Sequence, residues 1–142
     1  MMTVHSAAFQ EELSWVLEPL LELARVKHAL VASGDGILRG FSPDLERESR
    51  EGVAAMMSSL QGAARTMMVA FSGNEDTKVR TVVIEDDADG YIFAAPAAVN
   101  TVLVVYGVKG VNLGEVAHHV QLQAQRLGAK VMVSQARDGA SA

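Results

Sequence analysis

The hydrophobic pattern near the amino terminus is typical of an amphipathic helix. Apolar residues recur every three or four positions and glutamates stand between them, as on a helix with one buried face. Pro19 lies inside this pattern and either kinks the helix or divides it into two short pieces. The apolar positions of this predicted helix are Phe9, Leu13, Val16, Leu17, Leu20 and Leu23.

Two short aliphatic runs, "KHALVAS" and "ILRGFS", follow on either side of "GDG". A phosphate-binding loop of the Walker type needs a Lys-Ser or Lys-Thr pair and a helix directly after the glycines, and this stretch has neither. The dinucleotide-binding fingerprint fails for the same reason, because no helix opens after the glycines. Asp-Gly between aliphatic runs is instead a strong signal for a β-hairpin.

A long helix is predicted from about Leu45 to Phe71, where "SGNED" ends it. Two interpretations of its surface remain open: a wide core face with small surface residues, or two buried faces, of which one packs against an identical helix in a dimer. We favour the second. The apolar stripe comprises Leu45, Val53, Met56, Leu60, Ala64, Met67 and Phe71, widened by Met57, Ala63 and Met68. The small-residue stripe comprises Gly52, Ala55, Ser59, Gly62 and Thr66.

Three further strands and a helix are predicted in the second half of the chain. "TKVRTVVIED" alternates with Val79, Thr81 and Val83 on one face, and "YIFAAPA" and "NTVLVVYGV" follow it. The last helix begins near residue 112 and is expected to stop at Gly128, after which "KVMV" forms either a frayed helix end or a short strand. The order α-β-β-α-β-β-β-α, with short hairpin turns, predicts an α+β fold. Its five-stranded antiparallel sheet carries the long helix on one face, and the terminal helices flank it.

Composition narrows the class of protein. The chain has 142 residues, a formal net charge of −5 and no cysteine, which excludes disulfides and thiolate metal sites and argues against a general nucleic-acid binder. No apolar run is long enough to insert into a membrane and no secretory signal is visible, so we expect a cytoplasmic protein. We expect one domain over residues 11–128, a mobile segment at 1–10 and a carboxy-terminal tail at 129–142.

No group of residues forms a catalytic, cofactor-binding or metal-binding pattern. The adjacent His118 and His119 diverge on a helix and cannot chelate one ion together. Glu85, Asp86, Asp87 and Asp89 lack the spacing of a calcium loop, and "GVKGVN" at 107–112 matches no glycine fingerprint. We therefore predict no enzyme and no cofactor.

The assembled order resembles the roadblock family of dynein light chain-like domains, and within it the bacterial, chiefly actinobacterial, branch associated with small Ras-like GTPases. The similarity spans residues 11–128 and rests on three stretches. They are "LSWVLEPLLELARVKHALVASGDGILRG", "REGVAAMMSSLQGAARTM" with "VRTVVIEDDADGYIFAA", and "TVLVVYGVKGVNLGEVAHHVQLQ". Pro19 and "PAAVN" depart from the family pattern.

The resemblance implies a homodimer in which the long helices pack together and the third strands pair. It also implies a non-enzymatic signalling role as scaffold, regulator or GTPase-activating component of a small Ras-like GTPase, with a sensor kinase as a further candidate partner. The alternative is a small-ligand sensor or enzyme that uses the sheet and the loop at 107–112. The predicted dimer interface consists of Gly52, Ala55, Met56, Ser59, Gly62, Thr66, Val79, Thr81 and Val83.

Overall fold

The computed structural model of the chain describes residue 13, residues 15–97 and residues 100–140, with the backbone alone for 130–140. It contains three helices and five strands in the predicted order. The elements are α1 (15–21), β1 (Val26–Ser33), β2 (Leu38–Phe41), α2 (Arg47–Ser72), β3 (Val82–Glu85), β4 (Gly90–Pro96), β5 (Thr101–Val108) and α3 (Leu113–Ala140). Phe9 and the segment at 1–10 lie outside the described residues.

The five strands form one antiparallel sheet in the order β2-β1-β5-β4-β3. The α+β architecture predicted from the sequence is confirmed. The predicted hairpin at "GDG" joins β1 to β2: the Gly36 amide donates to the Ser33 carbonyl at 2.9 Å, and Gly36 has a φ of 87°. This left-handed conformation favours glycine, and a side chain at Gly36 would also meet the Ala55 backbone of α2 at 3.2 Å.

The two faces of the sheet are covered differently. Helices α1 and α3 both pack on one face, and α2 packs on the other, mainly over β1 and β2. The first layer is a continuous apolar core that includes Leu17, Leu20, Leu103, Val105 and Val120. Pro19 lies within the single helical stretch 15–21, so this stretch is not two separate helical pieces.

Two element boundaries differ from the sequence-based prediction. Strand β3 is only four residues long, and 77–81 form neither helix nor strand. Its ladder with β4 begins at Val82 opposite Ala94, and β4 ends two residues later at Pro96, which has no N–H to donate to a longer ladder.

The predicted stop at Gly128 is wrong, because α3 continues to Ala140 and includes "KVMV". A side chain at Gly128 would lie 3.4 Å from the Ala97 carbonyl oxygen. The glycine thus allows the helix to pass close to the end of β4 and does not terminate it. In the part of the chain described, no helix combines the length and apolarity needed to cross a bilayer.

The core between the sheet and helices α1 and α3 should dominate the stability of the chain. Replacing the fully buried Leu103 by Ala should lower the free energy of unfolding by about 2–5 kcal/mol, because it removes apolar contacts and leaves a cavity. Urea unfolding measures this loss. Ile37→Ala, at a half-exposed position of the hairpin, is the control, and an equal loss in both variants would contradict the described core.

Candidate protein-binding surface on α2 and β3

Helix α2 is long, but only part of its surface is buried. Ala54 and Met57 are buried against the sheet, and Val53 and Leu60 pack beside them. The helix also exposes large apolar side chains, one in its first half and three towards its carboxy-terminal end. Their exposed fractions are 65% for Met56, 56% for Met67, 49% for Met68 and 91% for Phe71.

A groove runs between α2 and the strands β3 and β4. It has a volume of about 460 Å³, and its lining is almost entirely apolar. A smaller cavity of about 160 Å³ adjoins it, because Val53 and Ile92 line both, and its other walls include Leu45 and Tyr106. The walls of the larger groove are Val53, Met56, Met57, Ser59, Leu60, Ala63, Ile84 and Ile92.

This surface is also poor in charge. Between Gly52 and Ser72 the only charged side chain is Arg65, and its guanidinium donates to the Glu75 carbonyl at 2.5 Å. The Thr66 hydroxyl donates to the Gly62 carbonyl of its own helix at 3.0 Å. A helix face that water covers normally carries charged and polar groups, so this one has the composition of a face that contacts another protein.

Strand β3 borders the groove and forms one edge of the sheet. Ile84 lies opposite Ile92 and therefore faces the same side as α2, whereas Val83 lies opposite Phe93 on the side of α1 and α3. Both side chains are substantially exposed, at 43% for Ile84 and 44% for Val83. An unpaired edge with exposed apolar residues is a template for adding another strand.

The structure distributes the six predicted interface residues of α2 over three places. Met56 and Ser59 line the groove. Ala55 lies beside the hairpin at Gly36, and a side chain at Gly52 or Gly62 would meet nothing within 4 Å. Thr66 is exposed on α2.

The strand residues of the predicted interface are not all in β3. Val79 and Thr81 precede it, and Val83 lies on the face opposite the groove. Whether these residues form an interface stays a prediction. The predicted interface does not include Ile84 or Ile92, although the alternation in "TKVRTVVIED" places Ile84 on the second face of the strand, with Arg80 and Val82.

The acidic turn after β3 is held together by Asp86. Its carboxylate accepts hydrogen bonds from the amides of Ala88, at 3.0 Å, and Asp89, at 2.8 Å. These bonds stabilise the ionised form and hold the pKa of Asp86 below its ordinary value of 3.8. Asp86 therefore acts as a turn residue, and the described residues contain no cluster of three or more His, Cys, Asp or Glu side chains that could hold a metal ion.

The loop at 107–112 is filled by its own chain. A side chain at Gly107 would clash with Val111 at 2.8 Å, and one at Gly110 would meet the Arg25 guanidinium at 3.1 Å. The Asn112 side chain accepts from the Glu115 amide at 3.0 Å and so caps the first turn of α3. The glycines therefore allow close packing within this loop.

Comparisons with known proteins agree with this architecture. A sequence model of the Roadblock/LC7 domain family matches residues 13–107. The chain is similar to the solved Roadblock/LC7 domain from Streptomyces avermitilis, with a TM-score of 0.73 and 21% identity over 83% of this chain and 96% of that one. It is also similar to MglB from Myxococcus xanthus, with a TM-score of 0.73 and 18% identity over 87% and 96% of the two chains.

A third similar structure is MglB in a tetrameric arrangement, with a TM-score of 0.71 and 20% identity over 86% of this chain and 89% of that one. None of the curated proteins compared with the chain matches it.

The role of Asp86 can be tested by pH. Because folding lowers its pKa below 3.8, its contribution to stability should be present at neutral pH and should be lost as the pH falls through the lowered pKa. Asp86→Ala should therefore lower the urea midpoint at neutral pH, and its difference from wild type should shrink in acid. Asp86→Asn keeps a side-chain oxygen acceptor and is the control. If the urea midpoints of Asp86→Ala and wild type differed by the same amount at neutral and at acidic pH, this role of the Asp86 carboxylate would be contradicted.

Proposed function

This chain belongs to the Roadblock/LC7 domain family, and on that premise we propose that it is a non-enzymatic homodimeric adaptor that regulates a small Ras-like GTPase in cytoplasmic signalling. The proposal has two parts. The first is self-association through α2 and β3, and the second is binding of the GTPase to the dimer.

One observation carries the first part: the α2 face of the sheet is only partly covered. Four interstrand spacings of about 4.8 Å make a five-stranded sheet roughly 19 Å wide, whereas a helix with its side chains is about 10–12 Å across. Two helices cover one face, but on the other α2 lies mainly over β1 and β2. A second helix is therefore needed over β3 and β4 to remove that apolar surface from water.

A second copy of the chain supplies such a helix. In a two-fold dimer each α2 covers the groove of the other copy, and the two β3 edges meet. The small side chains of Ser59 and Ala63 beside the groove allow the helices to approach closely. The tetrameric arrangement in the similar MglB structure supports self-association as a property of this fold.

The second part of the proposal rests on the family resemblance, which associates this branch with small Ras-like GTPases. An adaptor changes the rate of nucleotide hydrolysis or the location of a GTPase by holding its mobile segments in one arrangement. It needs no nucleophile of its own for this. The packed loop at 107–112 offers no comparable support for a small-ligand sensor or enzyme.

Two adjacent substitutions test the dimer. Ala63→Glu should raise the dimer dissociation constant by at least about 100-fold, because Ala63 lines the groove and an unpaired charge would be buried there. Gly62→Glu, one residue away on the small-residue stripe and in open space in the single chain, should weaken the dimer by only about tenfold when the groove, and not that stripe, forms the interface. Sedimentation equilibrium measures both constants, and circular dichroism checks that both variants fold.

The dissociation constants of the two variants show whether the groove or the small-residue stripe of α2 forms the dimer interface. If Ala63→Glu leaves the dimer intact, the groove is not the interface. If Gly62→Glu is the more damaging change, the helices meet through the small-residue stripe instead.

The GTPase part is tested with the purified chain and the Ras-like GTPase encoded nearest to it. We expect co-elution from a sizing column in at least one of two states, with GDP or with a non-hydrolysable GTP analogue. Absence of co-elution in both states would contradict GTPase binding. A small molecule retained in native mass spectrometry would favour the ligand-sensor alternative.

A further inference from the structure

The segment that contains β3 carries opposite charges at its two ends. Lys78 and Arg80 precede the strand, Glu85 is its last residue, and the acidic turn at 86–89 follows it. All these side chains are exposed. In the part of the chain that the structure describes, neither Lys78 nor Arg80 forms an ion pair within 4.0 Å.

The hydrogen bonds of β3 show which of its groups point to the free edge. The Asp86 amide donates to the Gly90 carbonyl at 2.8 Å, so this pair bonds towards β4. Bonding alternates along an antiparallel ladder, which directs the N–H and C=O groups of Val83 and Glu85 away from β4. Val83 is therefore a residue through which a second strand can bond.

Symmetry restricts how two such edges meet. A two-fold axis perpendicular to the sheet makes the two β3 strands antiparallel and keeps both α2 helices on the same face. Residues directly opposite each other then share a face. Only registers that pair even numbers with even and odd with odd satisfy this condition.

Among the registers that satisfy this condition, one places apolar residues opposite apolar residues and a basic residue opposite an acidic one. When Val83 lies opposite its own symmetry mate, Val82 lies opposite Ile84 and Arg80 lies opposite Asp86. A shift that places Val82 on the axis sets Arg80 opposite the apolar Ile84 instead.

We propose, on the basis of the homodimer inferred above, that two copies pair along β3 with Val83 on the two-fold axis and with Arg80 of each copy opposite Asp86 of the partner subunit. The Asp86 carboxylate is already oriented by the amides of the turn, so little side-chain freedom is lost when Arg80 reaches it. One ion pair lies at each end of the ladder that the two β3 strands form. The two ion pairs fix its register, and they favour this chain over an edge without the same charge order.

Cross-linking tests the register directly, because the chain has no cysteine. In a hydrogen-bonded antiparallel pair the Cα atoms are about 5.5 Å apart, which suits a disulfide. Under mild oxidation Val83→Cys should therefore form a covalent dimer. Val82→Cys, whose nearest copy would be diagonal, should cross-link far less. The reverse result would place Val82 on the axis and overturn the proposed register.

The ion pair is tested by Arg80→Glu. The change replaces two attractive contacts by two repulsive ones and should raise the dissociation constant at least about tenfold. Added salt should reduce the difference from wild type, because it screens charges at an exposed edge. Lys27→Glu, an equal charge change at an exposed position of β1, is the control, and an equal effect of both variants would overturn the ion pair.

Cross-linking and self-association together distinguish a wrong register from a wrong homodimer. A stable wild-type dimer in which Val83→Cys does not cross-link overturns the register but leaves the homodimer standing. A wild-type chain that remains monomeric at micromolar concentration overturns both.

Discussion

A five-stranded sheet has a wider apolar face than one helix covers, and much of this structure follows from that limit. On one face α1 and α3 both pack and together bury a continuous core. On the other, α2 packs mainly on β1 and β2, so that Ile84 and Ile92 line an open groove. The α2 face is thus the less completely covered of the two, and in the homodimer proposed above the fold and the association are governed by the same burial of apolar surface.

The composition of α2 is consistent with a helix that is buried on more than one side. A solvent-facing helix gains solubility from charged residues, yet the stretch from Gly52 to Ser72 has only Arg65. Burial of that face against protein removes the cost of exposing Met56 and Met67 to water. In the homodimer proposed above, specificity comes from elsewhere, since apolar faces discriminate poorly between partners. The charge order around β3 supplies a recognition pattern that an apolar groove alone does not have.

The sequence was informative wherever local chemistry decides the structure. The Asp-Gly hairpin and the order of elements follow from turn residues and hydrophobic period, and both are present. It was less informative where contacts distant in sequence decide. The length of β3 depends on where β4 ends, and the passage of α3 beyond Gly128 depends on the closeness of Ala97. Incomplete cover of the α2 face is a property of three-dimensional packing that no single segment displays.

Hydrogen exchange at different protein concentrations tests the central claim, that a second copy covers the open half of the sheet. The two sheet edges, β2 and β3, serve as test and control within one molecule. As the concentration rises from low nanomolar to high micromolar, amide exchange in 81–85 should slow, whereas exchange in Leu38–Phe41 should not change. Exchange at β3 that is independent of concentration, or slowing at β2 instead, would contradict the account.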